Sequence, residues 1–140
     1  MTSTHIHIRP YQPSDEEQVV QLWHCCNLIV PWNNPRHDIW LKLQVQPDLF
    51  LVGTVGEDVV ATVMVGYDGH RGWLNYLAVA PDRQRQGLGR CMVAAATAQL
   101  KQLGCPKLNV QIRATNSAVI EFYTRLGFLQ DDVVSMGLRL

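Results

Sequence analysis

The chain has 140 residues, 47% hydrophobic and 17% charged, with 12 Lys+Arg against 12 Asp+Glu. That length and mix predict a single globular domain over 1–140, with core enough to dispense with disulfide or metal staples. A formal net charge of zero excludes a global field for nucleic acid or an acidic membrane, and no apolar run approaches the ~20 residues of a membrane-spanning helix.

The opening MTSTHIHIRP has no apolar leader core, so a cytoplasmic location is expected. Cys25, Cys26, Cys91 and Cys105 form no C-x-x-C pair and are expected as reduced, mostly buried thiols. His5 and His7 alternate, but nothing beside them completes a metal site, and no metal is expected. HIHIR (5–9) puts Ile6 and Ile8 on one face and predicts a first strand. Ser14 with Glu17 reads as a capping box, and Val19, Leu22, Trp23 and Cys26 follow at helical spacing, predicting a helix over about 15–26. NLIVPWNNPRHD breaks that pattern. Asn34 before Pro35 then predicts the cap and first turn of a second helix reaching about Leu43, with Pro47 ending it.

LFLVGTV (49–55), VVATVMVGY (59–67) and WLNYLAV (73–79), with turns at 56–58 and 68–72 between them, predict an antiparallel meander. From there Leu88, Met92, Ala95, Ala96, Leu100 and Leu103 recur at helical spacing until Gly104 and Pro106 stop them. KLNVQIRA (107–114) predicts a strand, Asn116 caps a helix through SAVIEFYTRL, and Gly127 ends it. FLQDDVVSMGLRL is expected to supply one or two final strands. The stretch 73–114 is a βαβ crossover, so its two strands should be parallel neighbours. The fold class is α/β of the mixed, α+β kind: a central sheet part antiparallel and part parallel, with helices on both faces.

The crossover helix opens with QRQGLGRC (84–91). A helix start offers free N–H groups and partial positive charge, Gly87 and Gly89 carry no side chain to hold an anion away, and Arg85 and Arg90 add full charges. The dinucleotide fingerprint fails, because Met92 stands where its third glycine belongs, and no Lys-Ser/Thr follows as a Walker loop requires. A pyrophosphate cradle or a plain glycine-eased turn with solvated arginines both remain.

The surroundings of that loop resemble the GCN5-related N-acetyltransferases. Gln84-Arg85-Gln86-Gly87-Leu88-Gly89 fits the family's Gln/Arg-x-x-Gly-x-Gly/Ala signature, and LAVAP (77–81) matches the end of its fourth strand. Asn116-Ser117-Ala118, Phe122-Tyr123 and Leu126-Gly127-Phe128 match its second block, and the resemblance spans essentially the whole chain. PWNNP, YDGHRG and GCPK look like a small bacterial branch of it. The resemblance implies a sheet splayed between the fourth and fifth strands, holding acetyl-CoA as cosubstrate and passing its acetyl group to a primary amine. That amine, of a small molecule or a peptide, would attack directly in a ternary complex.

By the same resemblance the backbone of Leu77, Ala78 and Val79 would carry the pantetheine arm, with Leu77 N–H as oxyanion donor. Gln84, Arg85, Gln86, Gly87, Leu88, Gly89 and Arg90 would hold the pyrophosphate, Asn116 would bond the arm, and Tyr123 would be the general acid. Trp32, Asn33, Asn34, Trp40, Tyr67, Trp73, Tyr76 and Gln111 are acceptor-side candidates. The positions where many relatives carry a glutamate base hold Trp73 and Gln111, and neither can take a proton. The base is therefore expected from ordered water or from Asp38, His37, Asp68 or His70. Cys91 reads as packing rather than as a nucleophile. Partners are acetyl-CoA and the amine, without nucleic acid or membrane, and a homodimer is an arrangement some members adopt. The alternative reading is a non-catalytic acyl-CoA binder or sensor of the same fold.

Overall fold

A computed structural model describes residues 5–140. Its sheet has five strands in sequence order, β1 His7–Pro10, β2 Phe50–Val55, β3 Asp58–Tyr67, β4 Gly72–Val79 and β5 Leu108–Val110. Neighbours are antiparallel except β4 and β5, which are parallel. The helices are α1 Glu16–Cys25, α2 Pro35–Leu43, α3 Leu88–Gln102 and α4 Ser117–Arg125. The mixed sheet with helices on both faces is the predicted fold class.

Two cores lie on the two faces. Leu51, Ala61, Val63, Val65 and Leu74 pack with Met92, Val93, Ala96 and Leu100 of α3 and Tyr123 of α4. Phe50, Val52, Val59, Met64 and Ala78 pack with Val19, Leu22 and Trp23 of α1 and Ile39 of α2. Trp23 and Phe50 are fully buried, and truncating a Trp of this kind to Ala costs about 3–5 kcal/mol.

Several boundaries differ from the sequence reading. The first strand starts at His7 rather than His5. A 3₁₀ turn, Pro13–Asp15, precedes α1, and the capping box joins Gln12 to Asp15 instead of Ser14 to Glu17. The buried Asp15 is already anchored by Arg9 at 2.8 Å and also accepts the Gln12 N–H, while Glu17 is drawn away to Arg36. α2 forms as read, with Asn34 Oδ1 accepting from the Arg36 and His37 amides. Pro47 opens a further 3₁₀ turn rather than closing α2. Leu103 is half-exposed beyond the end of α3.

Three expectations are overturned. β5 covers 108–110 rather than 107–114, because β4 bends away from it beyond Leu74. The expected final strands do not form among the described residues: 129–140 carries no strand. None of the four cysteines is buried, since Cys25 and Cys91 are exposed and Cys26 and Cys105 intermediate; all four are free thiols. Cys91 lies on the outer side of α3, whose inner side is taken by Leu88, Met92, Ala96 and Leu100.

Candidate active site

The opening in the sheet is made by one extra residue. On β4, Asn75 pairs with Met64 and Ala78 with Thr62, so Tyr76 and Leu77 together oppose Val63. This is a β-bulge, which bends a strand and sharpens its twist. Tyr76 has φ +51°, a left-handed conformation that a non-glycine residue adopts only when its surroundings hold it there. The hold is visible. The buried Thr62 hydroxyl donates to the Tyr76 carbonyl at 2.8 Å and accepts the Trp23 indole N–H at 2.8 Å. The Trp23 and Tyr76 rings stack with centroids 3.8 Å apart.

The bulge also switches faces. Leu74, Leu77 and Val79 pack toward α3 and α4, whereas Tyr76 and Ala78 pack toward α1 and α2. β4 and β5 pair only from Gly72–Leu108 to Leu74–Val110, so the two strands part just before the bulge. The Ala80 N–H bonds the Val60 carbonyl, and alternation turns Val79's main-chain groups toward the opening. The Val79 carbonyl is taken there by the Cys26 thiol and the Gln84 amide, at 3.3 and 3.2 Å.

The glycine loop stands at the mouth of this opening. Asn34 and Asn116 cap α2 and α4 through their side chains, but Gly87, the N-cap of α3, has no side chain to do so. The first helical bond runs from the Cys91 N–H to the Gly87 carbonyl, leaving the Leu88, Gly89 and Arg90 amides ahead of it. Gly87 has φ +80° and Leu88 is helical, a left–right pair that turns successive N–H groups into one concavity and favours an anion. Arg85 is left-handed as well, with φ +65°. The two glycines differ in purpose. Gly87 meets nothing within 4 Å and serves its backbone angle, while a Cβ on Gly89 would lie 3.2 Å from the Phe122 ring of α4. Gly89 is thus a packing requirement between α3 and α4, a role the sequence reading did not give it.

Between those helices lies a hollow of about 390 Å³ lined by Gly87, Arg90, Ala118, Glu121, Phe122, Arg125 and Leu126. Arg125 is a cation of this hollow that sequence reasoning missed. It pairs with Glu121 at 2.8 Å, a helical i,i+4 spacing that reads as surface decoration in a sequence. Tyr123 is buried, at 4% exposure, and desolvation pushes its phenol up to about 12. Its ring makes edge contacts with Phe122 and Phe128 at 5.0 and 5.1 Å. Its hydroxyl makes no hydrogen bond among the described residues. Since no fully buried side-chain oxygen lacks a partner among the described residues, that hydroxyl retains some accessible surface. Asn116 accepts the Val119 N–H at 3.4 Å as a helix cap.

The acceptor-side candidates divide into groups. Tyr76 lies on the bulge, and its hydroxyl donates to Asp38 Oδ2 of α2 at 2.6 Å. Burial, together with that carboxylate, drives the Tyr76 phenol strongly up. Trp32, Asn33 and Asn34 are exposed on the α1–α2 connector, where the Arg113 guanidinium lies 5.4 Å from the Trp32 ring centroid and Arg139 bonds Asn33. Trp40 stacks on His37 on the exposed side of α2. Tyr67 and Trp73 flank the 68–72 turn and bond into it: Tyr67 Oη donates to the Gly69 carbonyl and Trp73 Nε1 donates to Asp68. Gln111 is held by Ser135 at 2.6 Å. Among the four candidate bases, only Asp38 touches the bulge. Asp68 is occupied by the His70 and Arg71 amides of its own turn, which hold its carboxyl below the usual range.

A splayed sheet, a bulged fourth strand and a glycine-led helix at its mouth form one architecture, and the comparisons with known proteins place it among the acyltransferases. The family model "Acetyltransferase (GNAT) family" matches residues 16–128. An acetyltransferase of Sodalis glossinidius is 44% identical over 134 residues, 95% of this chain and 94% of that protein. Among solved structures, Ard1 of Thermoplasma volcanium superposes with TM-score 0.79 at 22% identity, covering 89% of this chain and 82% of that one. The PaiA N-acetyltransferase of Thermoplasma acidophilum, solved in complex with coenzyme A, gives TM-score 0.75 at 17% identity over 93% of each chain. The chain belongs to the GNAT family of acetyltransferases.

Proposed function

We propose that the chain is a single-domain cytoplasmic N-acetyltransferase, moving an acetyl group from acetyl-CoA to a primary amine by direct attack in a ternary complex. The observation that carries this reading is the bulge at Tyr76–Leu77, which parts β4 from β5 in front of an α3 whose N-cap is a glycine. The pyrophosphate takes the α3 amides with Gln84, Arg85, Gln86 and Arg90. The pantetheine arm lies along Leu77, Ala78 and Val79, with Asn116 opposite. Because Cys26 and Gln84 already occupy the Val79 carbonyl, Val79 contributes its N–H.

The incoming ammonium has no lone pair until it loses a proton. Tyr76 Oη takes that proton while passing its own to Asp38, which leaves a neutral amine, a neutral carboxyl and an unchanged phenol. The nitrogen then attacks the thioester carbon, the Leu77 N–H steadies the oxyanion, the C–S bond breaks, and the second proton shed by the nitrogen ends on the departing thiolate, giving an amide and a free thiol. Tyr123 stays protonated throughout the physiological range. Full transfer to an ordinary thiolate, with pKa ~8.5, is uphill for a phenol so raised, so Tyr123 acts mainly by hydrogen-bonding the departing sulfur. Trp73 and Gln111 at the usual glutamate positions favour the second reading, an acyl-CoA binder without turnover.

A panel of amino acids, polyamines and peptides incubated with acetyl-CoA, read by mass spectrometry for acetylated product, tests the proposal. Asp38→Asn is expected to lower kcat/KM by about 10²–10⁴. Tyr123→Phe is expected to lower kcat with cofactor affinity kept. Acetyl-CoA binding with no product on any amine establishes the binder instead.

A further inference from the structure

Two arginines far apart in the sequence converge on the α1–α2 connector. Ile112, just past β5, packs against the α3–α4 core, and Arg113, the next residue, reaches the connector instead. Its guanidinium lies 5.4 Å from the Trp32 ring centroid. The segment after α4 arrives at the same place: Arg139 donates to Asn33 Oδ1 at 3.3 Å. Two positive charges thus meet on consecutive residues, Trp32 and Asn33. The connector itself lies on the reacting side of the opening. Leu28 and Ile29 pack against the same core as Tyr76. Asn34 caps α2 four residues before Asp38, one helical turn of about 6 Å, and Asp38 holds the Tyr76 hydroxyl. A group that extends from an amine at Tyr76 by about that turn therefore comes level with Trp32 and Asn33.

Neither charge is neutralised. Among the described residues no carboxylate pairs with Arg113 or Arg139, whereas Arg9, Arg36, Lys107 and Arg125 each have one. The acids of the neighbouring helices are engaged elsewhere: Asp38 by Tyr76, Glu16 and Glu17 by Arg36. A guanidinium over an aromatic ring offers the ring its face and keeps its in-plane N–H donors for a planar anion. Arg139 uses a single nitrogen on Asn33. Both arginines, Trp32 and Asn33 are exposed, so those donors are open to a solute.

We propose that Arg113 and Arg139 set the acceptor class: a primary amine that also carries a carboxylate, which the two guanidiniums hold while the amine reaches Tyr76. The inference rests on the acetyltransferase reading above and narrows its acceptor. Selection is then by charge. A neutral analogue of the same length loses the charge-assisted bonds, and the second ammonium of a polyamine is repelled by both arginines. Length matters as well. In an α-amino acid the nitrogen and the carboxylate carbon are about 2.5 Å apart, short of the helical turn that separates the reacting end from the arginines. Longer spacers, as in 4-aminobutyrate or a dipeptide, fit that turn.

The test compares acceptors matched in length: 4-aminobutyrate with 4-aminobutyramide, and glycylglycine with glycylglycinamide, each with acetyl-CoA. The acids are expected to exceed the amides in kcat/KM by about ten- to hundredfold, the range of hydrogen bonds to charged groups, and the difference should shrink as salt is raised. Arg113→Gln with Arg139→Gln should bring that ratio close to one, through the KM of the acids more than through kcat. Circular dichroism should be unchanged, because both side chains are exposed. Arg113→Lys alone should keep part of the preference, since the charge stays and the bidentate fork is lost. Amides acetylated as well as the acids, or a ratio that the double variant leaves intact, overturn the proposal with the acetyltransferase reading still standing. If no amine is acetylated, that reading falls, and the same pairs titrated by calorimetry onto the protein with coenzyme A bound decide the site. Acid binding that the double variant abolishes upholds it; equal binding of acid and amide, or none, overturns it.

Discussion

Thr62 offers a direct test of how the bulge is held. Its hydroxyl is fully buried between the Trp23 indole N–H and the Tyr76 carbonyl, at 2.8 Å from each. Thr62→Val keeps the shape and removes both bonds. Each buried group left without a partner costs about 1–3 kcal/mol, so the loss should be about 2–6 kcal/mol. For a chain of this size that lowers Tm by roughly 5–20 °C. Activity should fall further than stability. With its carbonyl released, Tyr76 can leave its left-handed conformation, which stores about 1–3 kcal/mol, and β4 can close toward β5. Denaturant unfolding gives the first quantity, and kcat/KM well below Tm gives the second. Thr62→Ser keeps the hydroxyl and should recover most of both. On a Trp23→Phe background, Thr62→Val should cost less, because one of the two orphans has gone. A Thr62→Val protein within about 0.5 kcal/mol of wild type and fully active would refute the reasoning.

Three further outcomes are expected. Arg85→Ala with Arg90→Ala should weaken acetyl-CoA binding by isothermal titration, and the difference should shrink as salt is raised; equal affinities would remove the cradle. Gly89→Val should destabilise far more than Gly87→Ala, because the first drives a side chain into Phe122 and the second costs only its positive φ, about 1 kcal/mol. Phe122→Leu should partly rescue Gly89→Val in thermal melts. Asp15, whose carboxyl is held low first of all by its hydrogen bond to Arg9, contributes stability that is present above the ordinary Asp pKa of ~3.9 and is lost as pH falls through its depressed folded value. Asp15→Asn should lower the denaturant midpoint at neutral pH and flatten its fall below about pH 4.

The sheet and helices were legible because periodicity reports burial on one face. The meander, Asn34 and Asn116 as caps, and the parallel crossover all follow from local spacing. The bulge was not legible from residue types, since Tyr76, Leu77 and Ala78 are ordinary strand residues and the device lies in register and in a contact to Thr62, 14 positions away. The Tyr76–Asp38 hydrogen bond was not legible either, because only the fold brings α2 against β4. The tail read as strands because its alternation is real. Among the described residues it joins no strand of the sheet, so spacing predicted a propensity and not a pairing.

The register of β4 has a consequence for insertions and deletions. Remove Tyr76 and strict alternation returns: Leu74, Leu77 and Val79 share one face, Asn75 and Ala78 the other, and the strand pairs with β3 without interruption. One codon therefore separates this chain from a more regular sheet with no opening in it. Selection for stability alone would favour that shorter strand, and only the use made of the gap keeps the supernumerary residue in place.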